Sequence, residues 1–302
     1  MQNNYSFQID FRPAPTPVYG CKHYREHRET LETIDDILTR SGLDHTMIEL
    51  ALKKRRETIP QEQDRLGDLA KMGGDGQQWH IDELILLPVV QNPSKVICVG
   101  INYVAHAAEA GRKVGEYPVI FQRYADTLIG HGQPLVRPKV SKEFDFEGEL
   151  AVIIGKGGSH IDPANAMDHV AGYCCFNDAS LRDWQFHTHQ YGMGKNFRST
   201  GALGPWLVTA DEIPDYRNLE LTSYLNGEQM QEGKLDQLAF DIPHVIAYVS
   251  KALPWRPGDV IATGTPSGVG FKREPPVFLQ AGDEFEIRIP GVGTLVNPVA
   301  DE

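Results

Sequence analysis

The stretch Glu143-Phe144-Asp145-Phe146-Glu147-Gly148-Glu149-Leu150 sets acidic residues at 143, 145, 147 and 149 and apolar ones at 144, 146 and 150. Side chains of a strand alternate between its faces, so a strand here projects all four carboxylates from one side. Neighbours two apart on such a face lie roughly 7 Å from each other, close enough for two of them to share a hard cation. An amphipathic strand with one wet face carries the same alternation. Yet like charges crowded on one face repel unless something positive sits among them. A further carboxylate, Asp178, follows the apolar run 172–176. Oxygen-only ligation by two or three carboxylates suits Mg²⁺ or Mn²⁺, whereas zinc favours His or Cys.

Outward from this stretch, the chain from Trp79 onward is β-rich. Short apolar runs occur at 85–90, 96–99, 119–121, 150–154, 207–209, 260–263 and 285–289, separated by Gly, Pro, Asp and Asn turns. Helical patterns are few, at 102–111, 163–170 and 242–252. Many strands with few helices predict a mixed or antiparallel β architecture, α+β in class, rather than a doubly wound sheet. The first 75 residues differ: apolar residues recur at helical spacing through Leu31, Ile34, Ile37 and Leu38, then Met47, Ile48, Leu50 and Leu52. The Gly-rich join at 72–76 separates this small, mostly helical region, 1–75, from a catalytic domain, 76–302.

The charge balance, 29 Lys and Arg against 41 Asp and Glu, opposes a phosphate-backbone binder, so no nucleic-acid partner is expected. No apolar segment reaches the roughly 18 residues that span a bilayer, and Met1 to Gly20 lack the pattern of a signal peptide. Cys21, Cys98, Cys174 and Cys175 have no metal-ligand spacing, and a reducing cytoplasm fits them.

Two further segments invite a chemical reading. In a helix, His106 and Glu109 lie one turn apart, and a carboxylate there orients the imidazole as a general base requires. The turn Gly264-Thr265-Pro266-Ser267-Gly268-Val269-Gly270 is neither a dinucleotide fingerprint nor a phosphate loop. It is either a tight turn or a lining of N–H and hydroxyl groups for a carboxylate. His23-Tyr24-Arg25-Glu26-His27 matches a zinc pattern only formally, and His187-Thr188-His189 reads as a surface pair.

Taken in order, several motifs resemble the fumarylacetoacetate hydrolase family. They are Val99-Gly100-Ile101-Asn102-Tyr103 with His106 and Glu109, then 145–155, Asn177-Asp178 with Arg182-Asp183-Trp184-Gln185, Gly194-Lys195, 203–206 and 257–266. The resemblance implies a β-roll catalytic domain, a homodimer and a divalent metal, Mg²⁺ or Mn²⁺. It implies Glu147, Glu149 and Asp178 as metal ligands, and His106 with Glu109 as a catalytic dyad on a lid. Gln185 and Lys195 match catalytic positions that contact substrate, while Arg182, Gly264 and Thr265 match substrate-binding ones. Arg123 stands where many relatives carry Lys and keeps the positive charge with a longer reach. Asp145 and Glu143 match no ligand.

What the resemblance leads one to expect is a hydrolase cleaving a carbon–carbon bond in a small acylpyruvate-like carboxylate. Isomerisation, tautomerisation or decarboxylation of a 2-oxo diacid uses the same chemistry and is the alternative. A non-catalytic binding module remains as a different class.

Overall fold

The structure, a computed structural model, describes residues 12–13, 84–109, 111 and 113–302, with the side chains at 12, 13, 84, 85, 106 and 107 left outside it. Apart from 12–13, the expected helical region 1–75 therefore lies outside the described residues, as do Cys21 and the His23–His27 pattern.

Among the described residues, beside the short pair Arg12–Pro13 and Leu84–Ile85, the body is built of β1 (Val96–Gly100), β2 (Val119–Arg123), β3 (Leu128–Ile129), β4 (Leu135–Arg137), β5 (Phe144–Asp145), β6 (Gly148–Ile154), β7 (Val170–Asp178), β8 (Ser180–Leu181), β9 (Gly201–Thr209), β10 (Glu220–Leu225), β11 (Glu228–Lys234), β12 (Val260–Ala262), β13 (Glu284–Ile289) and β14 (Gly293–Asp301). The α-helices among the described residues are short: α1 (Val104–Glu109), α2 (Arg182–Gln185), α3 (Gly192–Lys195) and α4 (Ile242–Ser250). The helical pattern at 163–170 forms a 3₁₀ helix, Pro163–His169.

A seven-stranded sheet runs in the order β2-β1-β12-β6-β7-β9-β3. It is mixed: β12 is parallel to β1 and β9 to β3, while β6 and β7 are antiparallel. A five-stranded sheet, β11-β10-β13-β14-β4, packs against it, and the rings of Phe146 and Phe285 stack 4.8 Å apart in the core between them. Strands β1 and β6 at the centre are buried on both faces, as near-continuous apolar runs require. Ile97, Val99, Leu150, Val152 and Ile154 face the second sheet, and Val96, Cys98, Ala151 and Ile153 face the other way. Each Val, Leu or Ile side chain among them contributes roughly 1.5–3 kcal/mol by leaving water.

Two local expectations differ from what forms. The run 85–90 is largely not strand: only Leu84–Ile85 pairs, and Pro88 offers no N–H to continue a ladder. Nor is 143–150 one strand. It breaks at Phe146 and Glu147, between β5 and β6, and Glu143 is exposed while the three carboxylates after it are buried. The four acids therefore do not share one face.

Candidate active site

The break after β5 is what assembles the site. Glu147 N–H donates to Asn177 Oδ1 at 3.1 Å, and Glu147 O accepts from Asp178 N–H at 2.9 Å. With Gly148 registered opposite Asn177, the start of β6 and the end of β7 bring Glu147 and Asp178 together. Glu149, two residues along β6, joins them on the same side. One carboxylate oxygen from each of Glu147, Glu149 and Asp178 lies within 4.8 Å of the others, and all three residues are buried.

Burial of three like charges is costly, and the surroundings show how it is offset. Lys195, at the end of α3, donates to Glu147 Oε2 at 2.6 Å and to Asp178 Oδ2 at 2.7 Å. Arg182, at the start of α2, pairs with Glu147 Oε1 and Asp145 Oδ2, each at 2.7 Å. Arg123 pairs with Asp178 Oδ1 at 2.5 Å. Burial works against the charge on Lys195, yet the charges of Asp178 and Glu147 together outweigh it and hold its pKa above the ordinary lysine value. Among the described residues Glu149 has no such partner. Burial, then the charges of Asp178 and Glu147, push its pKa well above the usual carboxylate range, against the pull of Lys195 and of Gly264 N–H.

These three carboxylates fit a divalent cation. They are oxygen donors close to one another, and among the described residues the ammonium and guanidinium groups leave Glu149 without an ion pair of its own. Mg²⁺ or Mn²⁺ held by Glu147, Glu149 and Asp178 matches that donor set.

Through Glu147 and Glu149 the cluster borders a cavity of about 280 Å³. Lys195, Arg182, Gln185 and Thr265 line it with Glu147 and Glu149, between aromatic walls that include Phe121, Tyr191, Phe186 and Phe271. Gln185 Oε1 accepts from Arg182 Nη1 at 2.8 Å. Arginine only donates, so this bond turns the Gln185 amide N–H₂ away from it as a donor for another partner. Arg182 Nη2 is buried and has no hydrogen-bond partner among the described residues.

Other residues expected to touch substrate instead support the carboxylates. Arg123 is 1% exposed and does not line the cavity: its Nη1 also reaches Ala179 O at 3.1 Å and its Nη2 reaches Thr200 Oγ1 at 2.6 Å. The guanidinium thus backs Asp178 from behind. Gly264 N–H donates to Glu149 Oε2 at 2.9 Å, at a φ of +101° where a side chain is strained and where a Cβ would stand 2.8 Å from Asn102 Cβ. Thr265 lines the cavity, but its hydroxyl donates to Gly148 O at 2.8 Å and accepts from Gln231 Nε2 at 2.7 Å, so its proton is spent on fixing the turn.

Helix α1 is moored at both ends to the turn after β12. The wholly buried Asn102 donates to Thr263 O at 2.7 Å and to Phe240 O at 3.0 Å, and Glu109 Oε1 accepts from Gly268 N–H at 3.0 Å. Position 106 lies on this helix; its side chain is outside the described residues. His187 and His189 are exposed, consistent with a surface pair, and His187 lies against Trp184. Cys98, Cys174 and Cys175 are buried thiols. Sequence reading missed Asn102 as an anchor, and missed Phe271 and Lys272 on the cavity wall. The Asn before a helical stretch was the available signal for the first.

Residues 95–300 match the family model described as fumarylacetoacetate (FAA) hydrolase C-terminal. The human protein named oxaloacetate tautomerase FAHD2A, mitochondrial, is 45% identical over 219 residues, 72% of this chain and 70% of that protein. The solved 2-hydroxyhepta-2,4-diene-1,7-dioate isomerase of Mycobacterium marinum superposes with a TM-score of 0.64 at 33% identity, covering 76% of this chain and 83% of that one. The 5-carboxymethyl-2-hydroxymuconate delta-isomerase of Mycobacterium smegmatis gives 0.65 at 36% identity, with coverage of 76% and 87%. These relatives carry the names of tautomerases and isomerases, which favours that alternative over the carbon–carbon hydrolysis first expected.

Proposed function

We propose that this chain, which belongs to the fumarylacetoacetate hydrolase family, is a metal-dependent tautomerase or isomerase of a small 2-oxo diacid of the oxaloacetate type. The observation that carries this reading is the buried Glu147–Glu149–Asp178 cluster, opening on a cavity also walled by Arg182 and Lys195. A cavity of about 280 Å³ suits a short diacid.

Glu147, Glu149 and Asp178 would hold a divalent cation, which would supply Lewis-acid polarisation of the 2-oxo group and so a more acidic neighbouring C–H. Converting keto to enol breaks one C–H bond and makes one O–H bond, with the double bond moving from C=O to C=C. Negative charge gathers on the 2-oxo oxygen as the proton leaves carbon. Lys195 Nζ and the Gln185 amide N–H₂ are the donors that meet it. Arg182, held in place by Asp145 and Glu147, offers its remaining N–H group to a substrate carboxylate. In this scheme His106 is the base that takes the proton from carbon and gives one to oxygen. No water need attack, so this scheme releases no acid fragment. A homodimer is part of the same proposal.

The test follows the enol absorbance of oxaloacetate with Mg²⁺- or Mn²⁺-loaded protein, alongside pyruvate detection. Accelerated keto–enol exchange without pyruvate is the expected result. Acetate and pyruvate from acetylpyruvate, with oxaloacetate exchange at the uncatalysed rate, would return the protein to the hydrolases.

A further inference from the structure

Besides steadying Arg182, Asp145 holds a turn that has no part in the scheme above yet completes the cavity wall. Asp145 is wholly buried. Its Oδ1 accepts from Phe146 N–H and Gly270 N–H, both at 2.8 Å, and its Oδ2 from Phe271 N–H at 3.1 Å and Arg182 Nε at 2.7 Å. One carboxylate thus clamps the turn Gly270–Lys272 to the arginine of the site. The approach is so close that a Cβ on Gly270 would stand 1.9 Å from Val277 O and 2.5 Å from Asp145 Oδ1, so only glycine fits.

Phe271 then lies under the Arg182 guanidinium, with Cζ 4.3 Å from its ring centroid, and against Phe186 at 5.9 Å. Lys272 follows on the same wall, its Nζ 4.9 Å from the Phe271 ring. The cations of the cavity differ in how far they are already matched. Lys195 and Arg182 are each held by two carboxylates. Arg273, beside Lys272, is committed to Gly268 O at 3.2 Å and Met230 O at 2.7 Å. Lys272 lines the cavity with no carboxylate partner among the described residues.

We infer that Lys272 is the specificity-determining residue for a second carboxylate on the substrate, presented by a turn that Asp145 fixes to Arg182. The inference rests on the proposed function and names the group that makes a diacid the preferred substrate. With the 2-oxo acid end at the buried triad, the far carboxylate meets an ammonium carried on a flexible stem, which tolerates diacids of slightly different length. Phe271 offers its ring to both cations, Arg182 and Lys272.

The experiment is calorimetric titration of the Mg²⁺-loaded protein with malate, which shares the oxaloacetate skeleton but cannot tautomerise, and with its 4-methyl ester. In Lys272→Met the malate Kd is expected to rise about tenfold, with the ester Kd little changed, and Lys272→Arg to recover most of the loss. With oxaloacetate as substrate, the loss in Lys272→Met falls on KM. Equal shifts for malate and ester, or none, overturn the assignment, and so does wild-type protein that binds malate no more tightly than the ester. Malate binding with the expected Lys272 dependence, but no tautomerisation of oxaloacetate, would sink the proposed function and leave the carboxylate subsite standing.

Discussion

Lys195 Nζ donates to Glu147 Oε2 across 2.6 Å, and both groups are buried. The pair joins α3 to the gap between β5 and β6, and it places the proposed catalytic donor against a carboxylate of the proposed metal site. Lys195→Met removes the ammonium and leaves Glu147 and Asp178 facing one another. Breaking such a buried pair costs about 3–5 kcal/mol. Thermal melts of the metal-free protein should show a large drop in Tm. Added Mg²⁺ should then recover more of it than in wild type, because the cation supplies the missing charge. A variant that melts like wild type without metal would show that Lys195 is not balancing the triad.

Glu147→Gln tests the ligand set directly. An amide keeps the shape and loses the charge, so Mn²⁺ affinity by calorimetry should fall tenfold or more, roughly 1.4 kcal/mol for each factor of ten. Unchanged affinity would remove Glu147 from the metal site.

The raised pKa of Glu149 gives metal-free stability a definite slope with pH. Its folded form binds a proton more tightly than its unfolded form. Stability is therefore greatest below the ordinary carboxylate pKa and declines as pH rises above it, since over that range the folded state holds more protons. Glu149→Gln should flatten this decline and raise the Tm of chelator-treated protein at neutral pH. The same slope persisting in the variant would assign it to another group.

His106→Ala should lower kcat far more than it weakens metal binding, since the proposed role of His106 is proton transfer. Measured side by side, intact turnover would take the dyad out of the mechanism. Glu109→Ala should cost activity by a second route as well, because it releases the end of α1 from Gly268 N–H. Accelerated amide exchange through 104–109 in that variant would report the loosening.

Asp145→Asn leaves Arg182 with one charged partner and weakens the clamp on Gly270 and Phe271. Loss of Tm should accompany a rise in KM for oxaloacetate. Normal KM in a destabilised variant would confine Asp145 to folding.

Much of this was already written in local sequence. The apolar runs at 96–99 and 150–154 determined buried central strands, because a pleated chain buried on both faces admits little else. The acidic residues at 147, 149 and 178 determined that something positive must sit among them, and the ordered motifs from Val99 to Pro266 determined the family. Tertiary structure decided the rest, since it depends on which distant backbones meet. Period-two alternation puts 143, 145, 147 and 149 on one face, but the break at Phe146–Glu147 sends Glu143 to solvent and Asp145 to Arg182. Arg123 resembles a substrate grip in one dimension, yet β2 carries it behind Asp178. Thr265 spends its proton on Gly148 O, some 117 residues away. Lys272 stands on the cavity wall in a turn that Asp145, from β5, helps to hold. Periodicity and composition are properties of neighbours along the chain, whereas the fate of a charge depends on the partner that folding brings to it.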